Sequence, residues 1–216
     1  MMAEYPVSLH IEGQRCLIVG GGSVAARKAF GLLEAGAAVT VISPVLDSAF
    51  PTSQVEHIAD TYRTDYLVRL KPSLVFAATS DPDVNRQIAH DSRENGILVN
   101  VVDRSSESGF SNMVLLHREP LTIAISTGGS SPVLGQHLRN AIDDLLGDHY
   151  PLLARWLGEL RPQVISQIPD QALRHAFWQR VIDSDGLDLL ENGQQQAAYE
   201  RLMALVDDAV REYPHE

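Results

Sequence analysis

Residues 17–28, LIVGGGSVAARK, constrain the fold of this chain more than any other stretch. An apolar run ends in three glycines and passes directly into a helix-forming segment, which predicts a strand, a tight turn and a helix whose first turn is open. Gly20, Gly22 and Ala25 fit the dinucleotide-binding pattern, in which the first glycine makes the turn and the second lets the backbone approach a pyrophosphate. The third position is small so that helix and strand pack closely, and the helix dipole favours the anion.

A glycine-rich turn of this kind can also bind nothing, so its context matters. Here the turn follows an apolar run near the N-terminus, and a second strand is predicted over 39–43. This context favours a nucleotide site.

The segments that follow alternate between strand and helix, which predicts a Rossmann-like, doubly wound parallel sheet. Either Ser80 or Asp81 can cap the helix that begins at Pro82. The predicted segments are a helix over 23–35, strands over 39–43 and 54–59, a helix over 64–70, a strand over 74–78, a helix over 82–95 and a strand over 97–102.

In such a sheet the carboxyl ends of the strands meet at one edge, where ligands bind. We therefore expect residues 20–22, Ser43, Thr79 and residues 100–103 to lie close together. NAD-binding domains usually place an acidic residue at the end of the second strand to hold the ribose hydroxyls, whereas this chain has Ser43. No arginine follows at once to favour NADP, so the spacing leaves the choice between NAD and NADP open.

After Asp103 the pattern changes to two strands, over 110–116 and 121–126, joined by a polar turn over 117–120. A second glycine-rich segment, 127–132, then opens a helix that runs to about Leu146. The start of this helix is either a second anion site or an ordinary capped helix end, and the sequence favours the two interpretations equally.

From Tyr150 onwards apolar residues recur at helical spacing and predict three helices. Such stripes usually form a core or an oligomer interface, and with two tryptophans on them we expect a helical domain that supports a dimer. The apolar positions are Leu152, Leu153, Trp156, Leu157 and Leu160, then Leu173, Phe177, Trp178 and Val181, then Leu202, Leu205, Val206 and Val210.

Composition narrows the classes of function. The chain of 216 residues has a net charge of −11, which argues against nonspecific nucleic-acid binding. It contains no apolar run long enough to span a membrane and no signal-peptide pattern, so we expect a cytoplasmic protein without a membrane partner. Its single cysteine, Cys16, excludes an internal disulfide and a cysteine-cluster metal site, and we predict no metal ligands.

Four motifs, in this order, closely resemble precorrin-2 dehydrogenase, the NAD-dependent dehydrogenase/ferrochelatase module of siroheme synthase. The resemblance spans nearly the whole chain, including LARWLGELR at 153–161 and Phe177-Trp178, which are similar to the family's dimerisation segment; the methyltransferase module of fused siroheme synthases is outside it. The four motifs are GGGSVAARK at 20–28, AAT at 77–79, NVVD at 100–103 and ISTGGSSP at 125–132.

The resemblance implies three regions: a Rossmann domain over 1–112, a small central strand–helix dimerisation region over 113–148 and a C-terminal helical domain over 149–216. It implies oxidation of precorrin-2 to sirohydrochlorin with NAD, in siroheme or cobalamin biosynthesis, by a homodimer. Fe²⁺ insertion is a further activity of some relatives.

Asp103 is the catalytic residue that the resemblance implies, as general base and in metal insertion; its alternative role is a turn cap. A carboxylate at the rim of a cofactor cleft suits proton removal. The implied cofactor contacts are Gly20, Gly22, Ser23, Val24, Ser43, Pro44, Val45 and Thr79.

Precorrin-2 is rich in carboxylates, so an acidic protein needs local positive or N–H groups to bind it. The expected substrate-binding residues are Arg104, His117, Arg118, Thr127, Gly128, Ser130, Ser131, His137 and Arg139.

Two positions depart from the family pattern. Phe110-Ser111-Asn112-Met113 replaces a common Phe-Ile-x-Pro, and Thr127 stands where some members carry a phosphorylatable serine. The competing hypotheses are a nucleotide- or tetrapyrrole-binding sensor without turnover, and an NADP-dependent reductase of another substrate.

Overall fold

The structure, a computed structural model, describes residues 4–212. These form two compact units that divide between Asn112 and Met113. The further division of the second unit at residue 149 remains a prediction.

The first unit is built on a five-stranded parallel sheet with the order β3-β2-β1-β4-β5. This topology confirms the predicted doubly wound sheet, although most of the predicted strands are one to three residues too long. The strands are β1 (Arg15–Val19), β2 (Ala38–Ile42), β3 (Glu56–Ile58), β4 (Leu74–Ala77) and β5 (Leu98–Val101), and the helices are α1 (Ser23–Glu34), α2 (Asp65–Leu70) and α3 (Pro82–Glu94).

The central strand β1 places alternate side chains on the two faces of the sheet. Ile18 packs with Ala25 and Ala29 of α1, whereas Leu17 packs with Leu67 of α2 and Ile88 of α3. Because α1 presents fully buried alanines to the sheet, its backbone lies close to β1, as the small residue in the glycine pattern predicts.

The start of α3 settles the choice between two capping residues. The Asp81 carboxylate accepts hydrogen bonds from the N–H groups of Asp83 and Val84 at 2.8 and 3.4 Å, and Pro82 is the first helical residue. Asp81, and not Ser80, is therefore the cap.

The second unit begins with an antiparallel hairpin, β6 (Val114–Arg118) and β7 (Leu121–Ile125), against which α4 (Pro132–Leu146) packs. The predicted turn between the two strands is confirmed but comprises only residues 119–120 and not 117–120, because His117 pairs with Thr122 and Arg118 with Leu121 inside the hairpin. Both side chains are exposed, and as consecutive strand residues they point to opposite faces of the hairpin, so their polarity does not require a turn. Phe110, predicted in the first of these strands, instead packs in the core of the first unit.

The rest of the second unit is helical, with four helices in place of the predicted three: α5 (His149–Gln167), α6 (Gln171–Ile182), α7 (Gly186–Glu191) and α8 (Gln195–Glu212). The short α7 was missed because its six residues bury only Leu190. Trp156 and Trp178 are both partly buried against the helical cores, and Trp156 makes an edge contact with Tyr199. The side chain of Val210 lies outside the described part of the chain. None of the helices within residues 4–212 combines the length and the apolar character needed to cross a membrane.

Candidate active site

The turn between β1 and α1 needs glycine at its first position. Gly20 has a φ of +124°, and a Cβ atom there would lie 2.2 Å from the carbonyl oxygen of Ala78. The Gly20 N–H also donates to the Ile42 carbonyl at 2.9 Å. Position 20 is thus enclosed between the ends of β2 and β4, where only glycine fits.

The second glycine is required as strictly, although the dinucleotide pattern leaves its position free. A Cβ atom on Gly21 would lie 2.0 Å from the carbonyl oxygen of Val45, and the Gly21 carbonyl accepts a hydrogen bond from the Asp47 N–H at 2.7 Å. The loop after β2 therefore crosses directly over Gly21. Three consecutive glycines were the only sequence signal of this contact.

The third glycine faces open space instead. A Cβ atom on Gly22 would meet nothing within 4 Å, and Gly22 is the N-cap of α1 without a side-chain cap. The N–H groups of Gly22, Ser23 and Val24 donate to no acceptor among residues 4–212. Unpaired N–H groups at the positive end of a helix fit a pyrophosphate group.

A cleft of about 730 Å³ opens at this edge of the sheet, at the carboxyl ends of the strands. It brings together every cofactor-binding residue predicted from the sequence, together with the predicted catalytic residue. These lining residues are Gly20, Gly22, Ser23, Val24, Ser43, Pro44, Val45, Thr79 and Asp103. Their roles toward a ligand remain predictions.

Ser43 is buried and shapes the loop after β2. Its hydroxyl donates to the Val45 carbonyl at 2.8 Å, and its own carbonyl oxygen lies 2.9 Å from His57 Nε2. The hydroxyl can therefore offer a ribose only an acceptor, since its proton is already used.

Two carboxylates that sequence reasoning missed also line the cleft, Asp47 and Asp60. Hydrogen bonds from the Tyr66 hydroxyl at 2.5 Å and from the Thr61 N–H lower the pKa of Asp60, and Arg63 lowers it further. Asp60 is thus held ionised. With Asp81 and Asp103 the lining has four aspartates, and no lysine, arginine or histidine belongs to the lining formed by the described residues.

Asn85 is a further missed residue, which positions the Thr79 side of the cleft. It is buried on α3, and its Oδ1 accepts a hydrogen bond from the Thr79 hydroxyl at 2.8 Å. The signal available in the sequence was an asparagine one turn after Asp81 and at helical spacing from the apolar Ile88 and Ala89.

Asp103 follows β5 and adopts a left-handed conformation with a φ of +59°. The turn is closed by the backbone, with the Arg104 N–H donating to the Val101 carbonyl. The Asp103 carboxylate accepts no hydrogen bond within residues 4–212, so it does not act as a cap there. It is exposed at the cleft, free to accept a proton from a ligand.

Among the predicted substrate-binding residues, the arginines already have partners. Arg104 pairs with Glu107 at 3.0 Å in the first unit, and Arg118 pairs with Asp143 at 2.7 Å in the second. Arg139 donates to the Leu115 carbonyl and to Asn140 Oδ1. Their charges are thus partly or wholly satisfied within the protein.

The other predicted substrate-binding residues lie on the hairpin and at the start of α4. His117 Nδ1 lies 2.9 Å from the Thr122 hydroxyl, and His137 is exposed on α4. The Ser131 hydroxyl accepts from the Leu134 N–H at 3.1 Å, and the Thr127 hydroxyl bonds to the Ser131 backbone. The segment with Gly128 and Ser130 therefore has the geometry of an ordinary capped helix start, which favours that alternative over a second anion site.

The described residues hold no group of three or more histidine, cysteine, aspartate or glutamate side chains placed to bind a metal ion.

Family models match the chain in three consecutive segments. Residues 7–112 match an NAD(P)-binding family, residues 118–145 the sirohaem biosynthesis protein central region, and residues 149–206 the sirohaem synthase dimerisation region.

Individual proteins match over nearly the same span. The chain is 38% identical to a siroheme synthase of Nitrosomonas eutropha over 218 residues, which cover 99% of this chain and 45% of the relative. It is also 38% identical to a siroheme synthase of Chromobacterium violaceum, over 91% of this chain and 42% of the relative. The chain thus spans less than half the length of these relatives. A solved structure of SirC, a precorrin-2 dehydrogenase, matches with a TM-score of 0.74 and 25% identity, over 93% of this chain and 100% of that chain.

Proposed function

Because this chain belongs to the siroheme synthase family and corresponds to its dehydrogenase module, we propose that it oxidises precorrin-2 to sirohydrochlorin with NAD. The observation that carries the proposal is the cleft itself, in which free helix N–H groups and an unpaired aspartate line one cavity. SirC, whose activity is that of a precorrin-2 dehydrogenase, supports the same assignment. The relatives are more than twice as long, so the proposal concerns this module and not their whole activity.

In the proposed reaction the substrate loses a hydride and a proton. Bound NAD would supply the hydride acceptor. The N–H groups of Gly22, Ser23 and Val24 would hold its pyrophosphate, and residues 43–45 form the wall after β2. The Asp103 carboxylate accepts the proton, and its freedom from internal hydrogen bonds leaves it available for this step.

Insertion of Fe²⁺ into sirohydrochlorin is the second activity that we propose to test in the same cleft. Fe²⁺ is a substrate in this reaction, so no resident metal site is needed. Insertion releases two protons from the macrocycle, and Asp103 is the cleft residue free to accept them in turn.

We propose that the protein acts as a homodimer, supported by the match of residues 149–206 to a dimerisation region. The substrate-binding roles of Arg104, His117, Arg118, Thr127, Gly128, Ser130, Ser131, His137 and Arg139 are also part of the proposal. So is a cytoplasmic location, with which the free thiol of Cys16 is compatible.

The test is an anaerobic assay of the purified protein with precorrin-2 and NAD, with and without Fe²⁺. We expect NADH and the sirohydrochlorin spectrum to appear together, and siroheme to appear in the Fe²⁺ arm if the second activity is present. Binding of both ligands without NADH would overturn the dehydrogenase and support the sensor. Tighter binding of NADP than of NAD, together with no turnover of precorrin-2, would support the reductase hypothesis instead.

A further inference from the structure

Lys28 is a half-buried cation, and none of the described residues forms a hydrogen bond or an ion pair with it. It lies in the second turn of α1. Its Nζ lies 6.0 Å from the centroid of the Phe76 ring, at the outer limit of a cation–π contact. The ammonium group has therefore lost part of its hydration without gaining a hydrogen bond or an ion pair from the described residues.

Packing contacts connect Lys28 to β5, the strand that precedes Asp103. Phe76 in β4 stands beside Asn100 in β5, and both side chains point to the face that α1 covers. Phe110 packs edge-on against Phe76 at 5.4 Å, and the Asn100 side chain donates to the Phe110 carbonyl at 2.9 Å. Asp103 follows Asn100 by three residues.

The electrostatic effects on the pKa of Lys28 agree with its placement near Asp103. Partial burial and the neighbouring Arg27 lower the pKa of Lys28, while the Asp103 carboxylate acts in the opposite direction. Lys28 and Asp103 are thus close enough to interact but do not form an ion pair. Lys28 is not among the residues that line the cleft, so it lies outside the predicted cofactor site.

The other cations expected to bind substrate are already engaged. Arg104 pairs with Glu107, and Arg118 pairs with Asp143. In a chain with a net charge of −11, Lys28 is a cation beside the catalytic aspartate that remains free for an outside anion.

We propose that Lys28 binds a peripheral carboxylate of the tetrapyrrole and thereby holds the macrocycle against Asp103. The proposal rests on the proposed function, because it takes the substrate from it. A carboxylate provides the missing counter-ion for Lys28, and the charge-assisted hydrogen bond fixes one edge of the ring.

The test compares Lys28→Met and Lys28→Arg with Arg27→Met as the matched control. Arg27 is exposed, adjacent on the same helix, and carries the same charge. The readouts are the Kd of sirohydrochlorin by absorption titration, the KM for precorrin-2 and the Kd of NAD. Sirohydrochlorin binding requires no turnover, and thermal melts verify that each variant is folded.

We expect Lys28→Met to raise the sirohydrochlorin Kd and the precorrin-2 KM by about tenfold, with NAD binding unchanged. Lys28→Arg should retain most of the affinity, and Arg27→Met should resemble the wild type. An unchanged sirohydrochlorin Kd and precorrin-2 KM in a folded Lys28→Met variant would overturn the inference. An equal loss of sirohydrochlorin affinity in Arg27→Met would also overturn it. Neither result would affect the proposed dehydrogenase activity. Failure of the wild type to form NADH from precorrin-2 would instead overturn the proposed function.

Discussion

The side-chain amide of Asn85 brackets the backbone of Thr79. The Thr79 N–H donates to Asn85 Oδ1 at 3.1 Å, and Asn85 Nδ2 donates to the Thr79 carbonyl at 3.0 Å. The side-chain amide thus makes the two backbone hydrogen bonds that a neighbouring strand would otherwise make, just after the end of β4. It fixes the turn that forms one wall of the candidate cofactor site.

Replacing Asn85 tests this arrangement. Asn85→Ala leaves both Thr79 backbone groups without these partners, so we expect a loss of roughly 1–3 kcal/mol in the free energy of unfolding. NAD affinity should fall as well, because Thr79 lines the cleft. Urea unfolding and NAD titration measure the two effects. Arg86→Ala, an exposed change on the same helix, should stay within about 0.5 kcal/mol. An equally small effect for Asn85→Ala would contradict the positioning role.

Substitutions of two neighbouring glycines should affect the stability of the fold and the binding of NAD separately. Gly21→Ala forces a Cβ atom against the Val45 carbonyl, which we expect to cost at least about 1–3 kcal/mol. Gly22→Ala has room for its Cβ atom and an ordinary φ of −83°, so it should lose only the small N-cap preference of glycine over alanine, about 0.5–1 kcal/mol. The new methyl group lies beside the free N–H groups, however, and should weaken NAD binding. Wild-type NAD affinity in Gly22→Ala would argue against a pyrophosphate at this turn.

Asp103→Asn is the substitution that tests the proposed catalytic role of Asp103 most directly. Asparagine tolerates the left-handed φ of +59°, so the turn should keep its shape, whereas alanine would add strain. We expect kcat for NADH formation to fall by roughly 10²–10⁴ with NAD binding intact. Asp83→Asn, outside the cleft lining on α3, is the control and should behave as wild type. Full activity in Asp103→Asn would remove this carboxylate from the mechanism.

The acidic lining predicts a preference between cofactors. A 2′-phosphate would meet Asp47 or Asp60 and, among the lining residues that the structure describes, no cation. Like charges at short range disfavour binding, so we expect NAD to bind at least about tenfold more tightly than NADP. Fluorescence titration with both cofactors measures the ratio, and Asp47→Asn should narrow it. Equal affinities for the two cofactors in the wild type would refute this explanation.

Cys16 predicts a loss of stability at high pH. Burial in β1 raises the pKa of the thiol from 9.0 to about 11. Because the folded pKa is the higher one, the thiol's contribution is complete below pH 9.0 and is lost as the pH rises through about 11. Relative to Cys16→Ala, the wild type should therefore lose up to roughly 2–3 kcal/mol across this range. Urea unfolding of both proteins at a series of pH values measures the difference, and a constant difference would contradict the prediction.

Much of the first unit was predictable because its signals are local. The apolar run, the glycines and the helix of residues 17–28 lie within one β–turn–α segment, whose conformation depends on neighbouring residues. The alternation of strands and helices then predicted parallel strands, because strand–helix–strand crossovers are right-handed. In a parallel sheet the carboxyl ends of the strands meet at one edge, and the predicted cofactor residues and Asp103 lie there.

Errors arose where one pattern permits two structures. Exposed polar residues such as His117 and Arg118 fit a turn as well as a strand, and only the pairing of β6 with β7 decides between the two. The helix α7 has six residues, too few for a clear periodicity.

Sequence alone determined the parallel sheet, the open glycine turn and the catalytic candidate, because these depend on residues close together in the chain. Tertiary structure decided the contacts that join distant segments. Val45 makes Gly21 necessary, Asn85 holds the Thr79 turn from α3, and Lys28 reaches Phe76 near Asp103. These contacts depend on how α1, α3 and the loop after β2 pack on the sheet, and packing is a property of the folded chain that no local pattern encodes.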